Sequence, residues 1–435
     1  MKHYINGQWS TFPSVDDAVI AARTAFQTYR QTTVPERISL IRSIYTVYKS
    51  RKKEIGKLIS KEIGSPITIA QSWQVDEGCV DFEKAIELLN RFSFKDGIVR
   101  YEPIGVCGII TSWNWPMCCI TELALPALAA GCTVIVKPSE LVPLSSLLFA
   151  ECVHDAGVPA GIFNLINCES PDHSLGHKIA QHPDIDIISF RGSNSTAKKV
   201  ATTAAATLKQ IRFNLGGKSP AIIFDDYTDL EHAVEKRVNN CMNNSGQGCG
   251  ASTRLLVHKN QYDIVVNIAI EAANNIEVNY PDVEGYHMGP VVSEENLHNI
   301  KKLMQEGVDA GARIVAGGFE SPLPGGNFIR PTIFADVNNS MSIAQEEFFG
   351  PVLCIIPYEN DNDAIHIAND SIYDLSAYVY TNNSSRAEHV AQQLTATDIH
   401  INDNHYPKPC KINDYLKTKK VVHSRTTFIK PQRKC

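Results

Sequence analysis

Between Ser189 and Arg254 four short signals follow one another: Ser189-Phe190-Arg191-Gly192-Ser193, then Asn214-Leu215-Gly216-Gly217-Lys218-Ser219-Pro220, then Gly246-Gln247-Gly248-Cys249, then Arg254. The third can do chemistry. It sets a single thiol between Gly248 and Gly250, where little side-chain cover separates the sulfur from a reactant and backbone N–H groups can come close. A thiol so placed suits attack on a carbonyl carbon. The first signal reads as a strand, Ile185 to Phe190, turning through glycine into a helix from Ser193 to about Ala206. A helix that opens there offers its N-terminus to an anion. The cysteine itself follows a helical stretch from about Leu230 to Asn243. Taken alone, a cysteine is more often a small buried thiol. The neighbouring signals argue for a nucleophile.

These signals, in this order, resemble the aldehyde dehydrogenase superfamily. Other motifs extend the resemblance from about Asp16 to Val422: Ser112-Trp113-Asn114-Trp115-Pro116, Leu125-Pro126-Ala127-Leu128-Ala129-Ala130-Gly131, Val136-Lys137-Pro138-Ser139-Glu140, Arg330-Pro331-Thr332 and Gln345-Glu346-Glu347-Phe348-Phe349-Gly350-Pro351-Val352. The resemblance implies an α/β fold of two parallel-sheet domains with a small oligomerisation element. Residues 1–91 and 102–217 would form the NAD-binding domain, and 218–400 the catalytic domain carrying Cys249. Residues 92–101 and 401–435 would form the oligomerisation element and tail, so a homo-oligomer is expected.

Composition agrees with a globular enzyme. The 435 residues suffice for two or three cores. A hydrophobic share of 43% and a charged share of 20% are ordinary for such a chain. A net charge of −6 gives no reason to expect nucleic acid or an anionic membrane as partner. The opening Met1-Lys2-His3-Tyr4-Ile5-Asn6-Gly7 lacks the apolar core of a signal peptide. The longest apolar run, Leu123 to Val136, is interrupted by Pro126, Gly131 and Thr133 and is too short to span a bilayer. The 12 cysteines form no CxxC pair and no metal spacing. They read as reduced thiols, with a cytoplasmic location and no metal expected.

The elements that must position these residues show in the periodicity. Val15 to Tyr29, Pro35 to Ile63 and Ile67 to Leu89 read as amphipathic helices, the first capped by Ser14. From Val106 onward, short β-branched runs alternate with helical stretches: Val106 to Thr111, Thr133 to Val136, Ile162 to Ile166 and Ile185 to Phe190. That alternation predicts a parallel sheet covered on both faces, with ligands beyond the carboxyl ends of its strands. Trp113-Asn114, Lys137 to Glu140 and Gly192-Ser193 fall at such ends. A second block follows Thr253, with strands at Leu255 to His258, Arg313 to Ala316, Val352 to Tyr358 and Ala377 to Tyr380. The boundary between the blocks falls near Gly217 to Pro220.

The resemblance assigns roles residue by residue. Cys249 attacks an aldehyde, and the oxyanion is received by its own backbone N–H and the Asn114 amide. Losing one such donor typically costs about 10²–10³ in rate. The cofactor implied is NAD: Lys137 and Glu140 at the adenosine ribose, Ser139 beside them, Gly192 and Ser193 at the pyrophosphate, Glu347 and Phe349 at the nicotinamide ribose and ring, and Trp113, Leu215 and Gly216 through backbone contacts. A carboxylate at Glu140 disfavours a 2′-phosphate by like charge, which favours NAD over NADP. No GxGxxG follows a strand. Gly217-Lys218-Ser219 is not the tail of a P-loop, because Arg212 stands where the earlier glycine is required. Trp115, His405 and Tyr406 are candidates for the aldehyde pocket.

Three departures from the family pattern fall at functional places. Asn214 stands where most members carry the glutamate that activates water, and an amide cannot take the proton. CoA-dependent semialdehyde dehydrogenases of the superfamily also carry asparagine there, so acyl transfer to CoA stays open beside hydrolysis. After Asn6-Gly7-Gln8-Trp9 a segment with a strand near the cofactor domain is missing. After Ile401-Asn402 a glycine-rich loop that lines the substrate tunnel is replaced by Asp403 to Cys410. Three departures in one chain leave a catalytically impaired binding or structural relative as a further alternative.

Overall fold

The computed structural model describes residues 2–12, 14–168, 174–403 and 410–422. Two seven-stranded sheets and one three-stranded sheet organise them. The first sheet has the spatial order Gln8–Ser10, His3–Ile5, Phe163–Leu165, Thr133–Lys137, Val106–Ile110, Ile187–Arg191, Gln210–Asn214. The second runs Arg313–Ala316, Thr332–Ala335, Val352–Tyr358, Arg254–His258, Pro220–Ile223, Ser376–Tyr380, Asp398–Ile401. In both, alternate side chains of the inner strands enter opposite cores. Cys107 and Ile109 pack with the helices Val34–Ser50, Val75–Arg91 and Pro116–Ala130, while Val106 and Ile110 pack with Val15–Tyr29 and Asn194–Ala205. This is the doubly covered sheet that the β-branched runs predict.

Neither sheet is parallel throughout. His3–Ile5 runs antiparallel to both its neighbours, and Arg313–Ala316 runs antiparallel to Thr332–Ala335. His3–Ile5 with Gln8–Ser10, and Arg313–Ala316 with Thr332–Ala335, are joined without a crossover helix and so return antiparallel. The amino-terminal hairpin turns on Asn6 and Gly7, at φ 51° and 75°, the Asn-Gly pair that a two-residue turn of this hand requires. This short hairpin forms one edge of the first sheet.

Other differences have local causes. The helix expected from Pro35 to Ile63 breaks at Arg51 into Val34–Ser50 and Lys52–Ile63. Tyr48 and Ile55 sit on either side at helical spacing, so the apolar stripe reads through the break. Arg51 bonds Glu54 at 2.9 Å and Glu151 at 2.8 Å there. The helix expected from Ile67 to Leu89 contains a π turn, Ala70–Gln74. Such turns re-aim side chains at functional surfaces, and this one places Trp73 on a cavity described below. The strands Gln210–Asn214, Pro220–Ile223, Thr332–Ala335 and Asp398–Ile401 were not legible. The first is polar and half-exposed, Pro220 opens the second and Pro331 precedes the third with a turn signal, and the last is half-buried along its whole length.

The chain passes from the first sheet to the second through residues 215–219. Leu416–Lys420 pairs with Val99–Pro103, which pairs with Lys95–Asp96, in the small third sheet. No helix of the described residues is long and apolar enough to cross a membrane.

Arg254, the last of the four signals, is structural. It is fully buried and donates to the Lys218, Ile367 and Ala368 carbonyls and to Asn339 Oδ1, at 2.8–3.0 Å. Burial lowers its pKa to about 10, so it stays charged at neutral pH. Arg254→Met keeps the volume and strands those acceptors. It is expected to cost about 3 kcal/mol or more, read as a lower urea midpoint at unchanged slope.

Candidate functional site

Four adjacent strands of the first sheet deliver their carboxyl ends to one edge. Lys137 ends one strand, Ser112-Trp113-Asn114 follow the next, and Arg191 and Asn214 close the two beyond. Against this edge lie the two loops that lead into Arg254–His258 and Val352–Tyr358 of the second sheet. One loop carries Cys249, the other Glu347 and Phe349. A cavity of about 350 Å³ lies between, lined by Cys249, Asn114, Asn214, Glu347 and Phe349. Trp113, Gly192, Ser193, Leu215 and Gly216, also of the expected set, line the same cavity. Lys137, Ser139 and Glu140 stand at the end of a neighbouring strand and do not border the cavity.

The backbone before Cys249 is unusual. Asn244, Ser245 and Gly246 are consecutively left-handed, at φ 51°, 58° and 72°. Two non-glycine residues in that region are costly and persist only when their surroundings over-determine them. Here Asn244 Nδ2 donates to the Asn114 carbonyl at 2.9 Å and Ser245 Oγ to the Gly289 carbonyl at 2.8 Å. A Cβ on Gly246 would come within 2.1 Å of the Gly350 backbone, so only glycine fits. Beside Cys249, Cβ atoms on Gly248 and Gly250 would meet nothing within 4 Å. The two glycines flanking Cys249 thus face open space.

Asn114 is locked into this turn. Its Nδ2 donates to the Gln247 carbonyl at 2.9 Å, and its Oδ1 accepts from Ser112 Oγ at 2.9 Å. An amide NH₂ carries two protons, so one N–H remains for an oxyanion. Asn214 Oδ1 is buried without a hydrogen-bond partner. Burial pushes the Glu347 carboxyl up to about 7, although it accepts from the Gly217 N–H at 3.0 Å. Phe349 is left-handed, φ 49°, and its ring meets Trp113 edge-on at 5.3 Å.

Several features would suit a dinucleotide. Ser193 caps the twelve-residue helix Asn194–Ala205, whose N-terminus opens beside the cavity. A Cβ on Gly216 would approach Glu347 Oε2 to 2.2 Å, so the backbone there lies bare to the carboxylate. Lys137 Nζ pairs with Glu140 Oε2 at 3.3 Å.

A larger cavity of about 630 Å³ adjoins on the far side. Trp73 and Trp115, 5.0 Å apart edge to face, line it with Asp81, Glu122 and Cys410. Trp115 is thus on a cavity wall. His405 and Tyr406 lie outside the described residues. Burial raises Asp81 to about 7.

Sequence reasoning missed Arg191 and Glu122. Arg191 donates from Nη1 to Glu122 Oε2 at 2.7 Å and approaches Cys249 Sγ with Nη2 at 3.9 Å. A signal existed. Glu122 is the lone charge in Pro116–Ala130, an otherwise apolar helix, and Arg191 the lone charge in the buried strand Ile187–Arg191. Isolated charges on buried elements need partners.

Two doubly covered α/β sheets that meet at a cavity bordered by Cys249, Asn114 and Glu347 define an α/β protein with a ligand-sized cleft between its sheets. The chain belongs to the aldehyde dehydrogenase family, whose model matches residues 6–413. It is 42% identical over 395 residues to a 3-succinoylsemialdehyde-pyridine dehydrogenase from Pseudomonas sp, covering 89% of this chain and 82% of that protein. An aldehyde dehydrogenase from Bartonella henselae superposes with TM-score 0.93 at 36% identity, covering 96% of this chain and 98% of the other. Aldehyde dehydrogenase C from Pseudomonas syringae, solved as a cysteine-to-alanine variant with NAD+ and octanal, matches with TM-score 0.93 at 38% identity, over 97% and 96% of the two chains.

Proposed function

We propose that this chain oxidises an aldehyde to the acid with NAD, through a covalent adduct on Cys249. The supporting observation is the meeting of Cys249, Asn114, Asn214, Glu347 and Phe349 around one cavity between two walls. Cys249 sulfur bonds the carbonyl carbon, and the oxyanion is received by the remaining Asn114 N–H and the Cys249 backbone N–H. The dinucleotide supplies the hydride acceptor. Glu347, Phe349 and Trp113 hold its nicotinamide end, and backbone at Leu215 and Gly216 lies against it. Gly192 and Ser193 at the helix N-terminus take its pyrophosphate. Lys137, Ser139 and Glu140 take the adenosine ribose. The first sheet with its helices is then the NAD-binding domain and the second the catalytic domain.

Asn214 makes acyl release the weak step. It orients water through its buried Oδ1 but removes no proton. The same amide favours a second reading, release to a thiol such as CoA, which needs far less base than water. Mass spectrometry after aldehyde plus NAD tests the covalent step by an acyl mass on the Cys249 peptide. Added CoA then separates the two release routes by whether turnover rises. A family member without dehydrogenase activity would show neither an adduct nor NADH.

Cofactor choice is also testable. Glu140→Ser removes a like charge and frees Lys137 for a phosphate. It is expected to move the ratio of kcat/KM for NADP over NAD up by about tenfold or more. An unmoved ratio would place the ribose elsewhere.

A further inference from the structure

Among the described residues Arg191 is the side chain that borders both cavities, and it reaches the sulfur from between them. Its backbone is fixed at the end of a buried strand, paired with Asn214. One edge of the guanidinium meets Glu122 at 2.7 Å and the other faces Cys249 Sγ at 3.9 Å, the outer reach of an N–H···S contact. The side chain is nearly buried, at 9% exposure, and Glu122 at 25%. A pair so shielded is weakly screened by salt.

We propose that Arg191 is a catalytic residue: anchored by Glu122, its guanidinium is the counter-charge for the Cys249 thiolate. When the thiolate forms, the thiol proton leaves to water and the sulfur's electron pair faces the cation. On attack that pair makes the S–C bond. On acyl release the C–S bond breaks, and the pair returns to sulfur beside the same cation. Arg191 neither gains nor loses a proton. Burial opposes its charge, but the Glu122 carboxylate paired with it at 2.7 Å keeps the guanidinium protonated. Stabilising the departing thiolate also helps the step that Asn214 leaves without a base.

The titratable groups facing this contact come from three elements. Glu122, Cys118 and Cys119 lie on the helix Pro116–Ala130, Tyr378 on the second sheet, and Glu347 on the loop across the smaller cavity. Tyr378 is held by its own hydrogen bond to the Gly250 carbonyl, at 2.9 Å, with the Arg237 guanidinium over its ring at 4.2 Å. Arg191 is the cation among these groups that contacts the sulfur.

The proposal rests on Cys249 as nucleophile, and its test needs neither NAD nor aldehyde, so its failure and that of the dehydrogenase reading are distinguishable. Cys249 alkylation by iodoacetamide is followed by mass spectrometry in the full-length protein from pH 5.5 to 10. Arg191→Met is expected to slow alkylation about tenfold at neutral pH and to converge with the unsubstituted protein at high pH. Arg191→Lys, which keeps a cation, is expected to recover part of the loss. If Arg191→Met does not fold, Arg191→Gln serves, with polar reach but no charge. An unchanged profile in a folded, uncharged variant overturns the proposal and leaves a structural ion pair between helix and strand.

Discussion

Asn214→Glu is expected to raise steady-state turnover by about 10²–10⁴-fold, the usual worth of a general base, while leaving the first NADH-forming event little changed. Asn214 ends a strand of the first sheet, on the wall of the cavity that holds Cys249. Its Oδ1 is buried with no partner, so the carboxylate breaks no hydrogen bond of that atom. Arg191 lines the same cavity and offers the added charge a cation. The unsubstituted enzyme should show one rapid equivalent of NADH per site and then a slow phase set by acyl release. In the variant the slow phase should accelerate toward the burst. A folded, NAD-binding variant with no faster second phase would mean that release is limited elsewhere. A rise on adding CoA to the unsubstituted enzyme would identify the thiol as the acceptor that Asn214 suits.

Cys249→Ala should be more severe. Removing the nucleophile of a covalent enzyme costs on the order of 10⁶ in turnover, and the acyl adduct should vanish with it. Cofactor binding should survive, because the cofactor contacts proposed above lie on other residues. NAD at 100 times its Kd should still add about 2.7 kcal/mol to stability. Five other thiols are poor substitutes. Burial pushes Cys118 and Cys119 up, Cys152 and Cys241 to about 12 and Cys354 to about 11, which keeps them protonated. An adduct on any of these, or turnover persisting in the variant, would refute Cys249 as the reacting thiol.

What could be read before folding was whatever a short stretch of chain encodes locally. Gly246-Gln247-Gly248-Cys249 announces a tight turn presenting a thiol, because only glycine fits where the Gly350 backbone presses. Ser14 announces a helix start, and it accepts from the Asp17 N–H. The β-branched runs announce sheets covered on both sides. Contacts between distant segments left weaker traces. Short strands that open on proline or lie half-exposed carry too little pattern to distinguish from loop, and a helix break hides when the apolar stripe resumes in phase. Glu122 and Arg191, 69 residues apart, are each an isolated charge on an apolar element. Neither names its partner, because a helix and a strand end reveal charge but not which other charge the packing will bring alongside. Folding settled that pairing and set the guanidinium against the sulfur, since burying either charge alone costs far more than burying the two together.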